Sequence, residues 1–263
     1  MNRLESLGWT PYFAEQLKTE TDPELKPARV FEEQRGSYTL AWEGGLCRAT
    51  AAGRLRHLAA GDPSALPCVG DWVLARHLDP GAEDGAVVHR VLDRRTRFAR
   101  QAPGERVEQQ IVAANVDTVF LVQSLNLNFN VRRLERYLTL LWESGAEPVI
   151  VLSKADLVAE TATARDAVAR VATGVAVHAV SAVTDGGLDP LLPYLLPGRT
   201  VALVGSSGVG KSTIVNRLAG EALMEVREIR EDDRGVHTTT FRRIVSLATG
   251  FLVVRSWTPY AST

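Results

Sequence analysis

The sequence predicts an α/β domain with a mostly parallel sheet, preceded by a small all-β barrel. Two observations support this prediction. Short apolar runs separated by turn residues fill the first part of the chain, and alternating strand and helix patterns begin near residue 110. The length of 263 residues suffices for two domains that each bury a core. We expect an N-terminal arm at 1–34, the barrel at 35–105 and the α/β domain at 106–263.

The composition is that of a globular protein. Hydrophobic residues make up 45% of the chain and charged residues 23%, which excludes wholesale disorder and a fibrous fold. The sequence contains neither a long apolar span nor a secretory signal, so we expect a cytoplasmic protein. Cys47 and Cys68 are too few for a disulfide framework. The net charge of -1 means that any nucleic-acid binding depends on a local patch.

The barrel is predicted from short apolar runs whose length suits strands. These runs are 38–42, 46–51, 72–75 and 86–92. Clusters of glycine, proline and aspartate separate them, as expected for turns. The arm before the barrel contains Trp9, Tyr12 and Phe13 and closes with Pro23 and Pro27, a composition that suggests docking on another surface.

The α/β domain is predicted from buried-strand runs that alternate with amphipathic helices. The strand runs are 117–123, 148–152, 176–180 and 200–204. One helix face ends at Gly145 and consists of Val131, Leu134, Leu138 and Leu141. A second helix is expected at about 159–172. This alternation predicts a parallel sheet with helices on both faces.

The strongest functional motif follows the strand run 200–204. It matches G-x-x-x-x-G-K-[ST] and comprises Gly205, Ser206, Ser207, Gly208, Val209, Gly210, Lys211 and Ser212. A helix is expected to follow, and Thr213 in its first turn completes the candidate nucleotide contacts. Backbone N–H groups and Lys211 would hold phosphates, and the Ser212 hydroxyl would bind Mg²⁺. The alternative, an ordinary glycine-rich turn, is disfavoured by the Lys-Ser pair and the flanking elements.

Two short motifs after other strands favour guanine as the base. The first comprises Ser153, Lys154, Ala155 and Asp156. It reads as [NTS]-K-x-D, in which the Asp156 carboxylate accepts hydrogen bonds from the guanine N1–H and amino groups. The second is Ser181-Ala182, where a backbone N–H can contact the guanine O6. Alone, the first motif also fits a solvated loop with a capping Asp. Together the two motifs disfavour an ATPase or a small kinase.

The order of these motifs along the chain is unusual. The base-reading motifs precede the phosphate loop, whereas an ordinary small GTPase has its phosphate loop first. A circular permutation explains this order, because sheet geometry does not depend on where the chain is cut.

The segment 234–240, RGVHTTT, has the composition of a nucleotide-sensing switch. It is charged and contains glycine, and a threonine hydroxyl there can complete the Mg²⁺ shell when a γ-phosphate is bound. His237 can orient a water molecule. A surface histidine beside a strand is an equally good interpretation of that residue.

The chain resembles the RsgA (YjeQ) family of ribosome-dependent, circularly permuted GTPases. The motifs that carry the resemblance reach to about Gly250 and are LGWTP at 7–11, VGDW at 69–72, RRTRFAR at 94–100, AANVD at 113–117, SKAD at 153–156, the phosphate loop, and HTTT at 237–240. The resemblance implies an oligonucleotide-binding (OB) type of barrel, a P-loop GTPase domain that uses GTP and Mg²⁺, and a C-terminal zinc domain. It also implies that Thr239 binds Mg²⁺ and that His237 positions the hydrolytic water, so Lys211, His237 and Thr239 are the candidate catalytic residues.

A group of arginines favours RNA as a partner of the barrel. Six of them lie within seventeen residues: Arg90, Arg94, Arg95, Arg97, Arg100 and Arg106. They form a basic stripe that can follow an RNA backbone, although a solvated basic face is the alternative. With the resemblance, the stripe predicts the small ribosomal subunit and its rRNA as partners. We expect no membrane association and a monomer.

The sequence departs from the family pattern after about Gly250. The family continues into Asp-x-Pro-Gly, whereas this chain reads Ser256-Trp257-Thr258-Pro259-Tyr260 and lacks the zinc ligands. We therefore expect a chain that is truncated relative to the family. Two functions stay open at this point. One is a ribosome-dependent GTP hydrolase in late subunit maturation. The other is a hydrolysis-impaired, guanine-nucleotide-gated RNA-binding module, since loss of one oriented contact typically costs about 10²- to 10³-fold in rate.

Overall fold

The first part of the chain folds into a closed five-stranded barrel. The computed structural model describes residues 2–78, 85–101, 109–126, 129–220, 242–247, 250 and 252–255. The barrel strands are β1 (Leu25–Gln34), β2 (Ser37–Trp42), β3 (Gly45–Ala51), β4 (Trp72–His77) and β5 (Ala86–Val91). They pair in the order β1-β2-β3-β5-β4, and β4 pairs back to β1. The predicted all-β barrel is therefore confirmed.

The N-terminal segment packs against the barrel. It contains α1 (Arg3–Ser6) and α2 (Pro11–Gln16), and a further helix, α3 (Gly53–Ala59), crosses between β3 and β4. Trp9 stands edge-on to Trp72 with 4.7 Å between ring centroids. Strand β1 lies inside the segment 1–34 that the sequence assigned to the arm, because Pro27 suggested a break there. Pro27 is instead the third residue of β1, near its start, where strands tolerate proline.

The second part of the chain forms a mostly parallel sheet with helices. A hairpin of β6 (Arg97–Gln101) and β7 (Gln109–Ala114) leads into it. The sheet strands are β8 (Thr118–Ser124), β9 (Glu147–Ser153), β10 (Ala176–Ala179), β11 (Thr200–Val204), β12 (Arg242–Ser246) and β13 (Leu252–Arg255). Their order is β10-β9-β8-β11-β13-β12, and β12 is antiparallel to β13 while the other pairs are parallel. The predicted α/β fold is confirmed.

Three helices cover this sheet: α4 (Val131–Ser144), α5 (Ala162–Val171) and α6 (Lys211–Ala219). Short 3₁₀ turns occupy Pro63–Ala65, Ala155–Leu157 and Asp189–Tyr194. The Asn130 side chain accepts from the Arg133 N–H at the start of α4, and Gly145 ends the helix at φ 79°, a conformation that favours glycine. The predicted apolar face of α4 is buried at Leu134, Leu138 and Leu141.

The barrel and the α/β sheet are continuous. Strand β12 pairs with β1 at Glu32 with Arg243 and at Glu33 with Arg242. This pairing joins the five barrel strands and the six strands β8 to β13 into one sheet, and β6 and β7 pair separately. One apolar cluster also contains residues of both parts, among them Trp72 of β4 and Leu134 of α4. In the part of the chain that the structure describes, the helices are too short or too polar to cross a bilayer.

Candidate functional site

The candidate nucleotide site lies at one edge of the parallel sheet. The segment 205–210 follows β11, the segment 153–156 begins at the end of β9, and Ser181 comes shortly after β10. The carboxyl ends of parallel strands meet at the same edge, and in open α/β sheets ligands bind there. Three motifs that are separated in sequence are therefore brought to one edge.

The loop from Gly205 to Gly210 has the backbone that a phosphate cradle requires. Gly205, Gly208 and Gly210 all have positive φ, at 152°, 73° and 96°. A Cβ on Gly205 would collide with the Val122 carbonyl oxygen, so glycine alone fits there. Helix α6 begins directly afterwards, so its first N–H groups are available to an anion. Ser212 and Thr213 occupy the first turn of α6 and are half-buried.

Lys211 lies folded over this loop. Its Nζ donates to the carbonyl oxygens of Gly205 at 2.8 Å and Ser206 at 2.6 Å. Burial disfavours the ammonium and lowers the pKa of Lys211 to about 8. The Lys211 ammonium therefore lies beside the loop from Gly205 to Gly210, where a phosphate group can replace the hydration that the ammonium loses on burial.

Ser153 connects the predicted base-selecting segment 153–156 to the loop from Gly205 to Gly210. Its hydroxyl donates to the carbonyl oxygen of Val209 at 2.6 Å, and the carbonyl oxygen of Gln123 lies 3.3 Å from the same Oγ. Ser153 is buried, so these contacts are shielded from water. The first residue of the predicted base selector therefore acts on the phosphate loop, a role that sequence reasoning missed because the pairing is 56 residues apart.

Asp156 is exposed and oriented by Ser181. The Ser181 hydroxyl donates to Asp156 Oδ1 at 2.6 Å, and the Ala155 N–H donates to the Val180 carbonyl oxygen at 3.1 Å. Lys154 adopts the left-handed conformation at φ 60° and turns the chain between Ser153 and Asp156. The two motifs that the sequence predicts to select guanine are therefore in direct contact, and Ala182 follows Ser181 in the same loop. Ser181 was predicted for its neighbouring backbone N–H, and its hydroxyl bond to Asp156 is an additional role.

Some of the predicted site residues fall outside the described part of the chain. His237 and Thr239 lie there, so the candidate water-orienting residue and the second candidate Mg²⁺ ligand stay predictions. Within the described residues, no group of three or more His, Cys, Asp or Glu side chains could hold a metal ion. A Mg²⁺ site would instead combine hydroxyl oxygens with nucleotide oxygens, and the half-buried Ser212 suits that donor set.

The basic stripe is not uniform. Arg94 is committed to the fold: its guanidinium bonds both carboxylate oxygens of buried Asp71, at 2.8 and 2.7 Å, and the carbonyl oxygens of Ser64 and Leu66. Arg95 pairs with Asp117. The Arg100 side chain and Arg106 lie outside the described residues.

Comparisons with known proteins agree with this geometry. The family model "RsgA GTPase" matches residues 91–256. Among curated relatives, small ribosomal subunit biogenesis GTPase RsgA 2 of Lactiplantibacillus plantarum is 47% identical over 227 residues, 86% of this chain and 63% of the relative. Small ribosomal subunit biogenesis GTPase RsgA of Opitutus terrae is 42% identical over 258 residues, 95% of this chain and 70% of the relative. The chain thus spans roughly two thirds of their length.

Two solved structures share the fold. YjeQ from Thermotoga maritima aligns with a TM-score of 0.65 and 23% identity over 89% of this chain and 74% of that protein. YloQ, described as a circularly permuted GTPase, aligns with a TM-score of 0.61 and 19% identity over 90% of this chain and 72% of that protein. Both alignments support the predicted fold class, and the second protein is described as carrying the circular permutation that the motif order predicts for this chain.

Proposed function

The chain belongs to the RsgA GTPase family, and from this membership we propose that it binds GTP with Mg²⁺, hydrolyses it to GDP and phosphate, and acts on the small ribosomal subunit during late maturation. The observation that carries the proposal is a pair of side-chain hydrogen bonds that link three loops at the sheet edge. Ser153 bonds the phosphate loop, and Ser181 bonds the base-selecting Asp156. The proposed ribosomal role is supported by the names of the relatives, and with that role we propose a cytoplasmic location.

Phosphate binding would use the loop from Gly205 to Gly210, the start of α6 and Lys211. Each phosphate oxygen would accept from backbone N–H groups, and Lys211 would exchange its two carbonyl partners for phosphate. The Ser212 and Thr239 hydroxyls would hold Mg²⁺, which supplies charge neutralisation at the β- and γ-phosphates. His237 would orient the attacking water.

Guanine selection would use Asp156. Its carboxylate would accept from the guanine N1–H and amino groups, and the Ser181 hydroxyl holds it in that orientation. Adenine offers no matching donors and would leave the carboxylate unpaired, a penalty large enough to select between the bases.

The substitution Asp156→Asn tests the base assignment. We expect GTP affinity to fall about a hundredfold and xanthosine triphosphate affinity to rise, because the asparagine amide donates to the extra xanthine carbonyl. Equilibrium binding of both nucleotides measures this. Asp166→Asn is the control, since Asp166 is an exposed carboxylate on α5. An unchanged preference for GTP in Asp156→Asn would show that the base selector is misassigned.

The second candidate function is a hydrolysis-impaired, guanine-nucleotide-gated RNA-binding module. The observation that favours it is the sequence after β13, where Ser256-Trp257-Thr258-Pro259-Tyr260 replaces the expected Asp-x-Pro-Gly. Calorimetric GDP binding combined with phosphate release in the presence of small ribosomal subunits separates the two functions. Subunit-stimulated turnover supports the hydrolase. GDP binding without stimulated turnover supports the module. Sedimentation of the chain would test our proposal of a monomer.

A further inference from the structure

A cleft of about 1110 Å³ lies between the barrel and the end of α4. Helix α3 and strand β5 line one side, the last residues of α4 line the other, and the connection from β5 to β6 runs between them. None of the residues that line it belongs to the nucleotide site. The cleft is therefore a second concave surface, formed jointly by the barrel and the α/β domain.

Arginines from separate elements line this cleft. Arg54 comes from α3, Arg90 from β5 and Arg97 from the start of β6. Arg54 and Arg97 are exposed, and neither forms an ion pair within the part of the chain that the structure describes. Two cations without carboxylate partners on different elements are suited to bind two phosphates of one flexible chain.

Two of the carboxylates that line the cleft already accept hydrogen bonds from other groups. Asp22 bonds Arg76 at 2.5 Å and accepts from the Glu24 N–H, a hydrogen bond that with Arg76 lowers the pKa of Asp22. Glu20 accepts from two backbone N–H groups and lies 3.8 Å from Arg90. Asp93 and Glu143 remain in the lining. Because acidic residues interrupt the basic ones, the cleft suits a few phosphates rather than the long phosphate rows of a duplex.

Trp142 adds a stacking surface to the same cleft. It lies near the end of α4 and is 53% exposed, while the opposite face of that helix fills the core. The fold therefore does not need the indole for packing. Unpaired bases stack on exposed aromatic rings, and guanidinium groups nearby hold the phosphates, which is how proteins bind single-stranded nucleic acid.

We propose that this cleft binds a short single-stranded segment of RNA, with a base stacked on Trp142 and phosphates at Arg54 and Arg97. The inference rests on the proposed role at the small ribosomal subunit, which supplies RNA as the nucleic acid. The proposed RNA site differs from the basic stripe predicted from the sequence in two respects. Arg94 forms a structural ion pair with Asp71 and is not proposed to bind RNA. Arg54 and Trp142, which the sequence analysis did not select, belong to the proposed site.

Fluorescence anisotropy with a labelled single-stranded RNA of about ten nucleotides tests the proposal. Trp142→Ala should weaken binding about five- to a hundredfold, whereas Trp142→Phe should retain most of it because a ring remains. The double substitution Arg54→Ala/Arg97→Ala should reduce the slope of log K against log salt by about 1.4, the value for two phosphates of a single strand. Arg56→Ala is the matched control, since Arg56 lies on the same helix and does not line the cleft.

GDP affinity measured on every variant shows that each one is folded and keeps failure of this inference distinct from failure of the proposed function. If GDP binds and subunits stimulate hydrolysis but the wild-type chain binds no single-stranded RNA, the cleft proposal is overturned while the hydrolase stands. Equal affinity for a matched duplex also overturns it. So does a Trp142→Ala variant that binds RNA normally but binds intact subunits weakly, because the occupant would then be a protein.

Discussion

The partly buried ammonium of Lys211 couples nucleotide binding to protonation. In the chain without nucleotide, burial lowers the pKa of Lys211 to about 8, and two loop carbonyl oxygens are its hydrogen-bond partners. A phosphate beside the ammonium favours the charged form and must raise that pKa. Binding therefore takes up protons wherever the free chain has lost them, and affinity must depend on pH.

GDP affinity should decrease as the pH rises. Lys211 is charged below about pH 8 and loses its proton above it, so GDP affinity should fall by about threefold between roughly pH 7.5 and 8.5. Calorimetry in two buffers of different ionisation enthalpy should show proton uptake that increases over this range. Lys211→Arg is the control, because its guanidinium stays charged and its weaker binding should not vary with pH. A flat profile for the wild-type chain would contradict the lowered pKa of Lys211.

At the scale of elements, three strand ends work together through side-chain hydrogen bonds between their loops. β9 supplies Ser153, which bonds the loop after β11, and the loop after β10 supplies Ser181, which bonds Asp156. The strands are linked by the parallel ladder, so the loops inherit a fixed spacing from the sheet. Because these loops are already held in place, less conformational entropy is lost when a nucleotide binds.

Ser153→Ala should therefore weaken both folding and nucleotide binding. It leaves the Val209 carbonyl oxygen without its 2.6 Å donor, which should lower the free energy of unfolding by about 1–2 kcal/mol. GDP affinity should fall as well, because the phosphate loop loses its connection to β9. Urea denaturation and GDP titration measure the two effects. Ser246→Ala, an exposed serine in β12, should change neither, and a normal GDP affinity in Ser153→Ala would show that the connection is dispensable.

At the scale of the whole molecule, a buried arginine joins the arm, the barrel and the α/β domain. Arg29 of β1 is 1% exposed and donates to the carbonyl oxygens of Leu7, Gly70 and Asn115. Burial lowers the pKa of Arg29 to about 10, which still leaves it charged near neutral pH. Each of the three guanidinium nitrogens has one acceptor, and each acceptor is on a different segment. Any relative movement of these segments would therefore break a buried hydrogen bond.

Arg29→Met should destabilise the whole chain. Three buried carbonyl oxygens lose donors, and we expect the free energy of unfolding to fall by about 3 kcal/mol or more. Urea unfolding followed by circular dichroism and by tryptophan fluorescence should give separate midpoints once the junction is weakened. Arg132→Met, on the exposed surface of α4, should stay within about 0.5 kcal/mol of the wild type. An unchanged midpoint in Arg29→Met would show that the junction does not hold the two parts together.

The sequence alone determined the features that depend on local patterns. Apolar periodicity predicted α4 and its end at Gly145, and strand-length runs predicted β8, β9, β10 and β11. Residues 205–212 match the pattern of a phosphate loop. Each of these features is encoded within a short window of sequence. The order of the motifs also predicted the permutation. The site assignments at His237 and Thr239 remain predictions, since those residues lie outside the described part of the chain.

Only the tertiary structure decided which distant residues meet. It paired Ser153 with Val209 and Ser181 with Asp156, joined β12 to β1, committed Arg94 to Asp71, and placed Arg54 and Trp142 in one cleft. These contacts depend on how strands are ordered and how domains pack, which no short window of sequence specifies. A side chain can be recognised by its neighbours in the chain, but its role depends on the partners that folding brings within hydrogen-bonding distance.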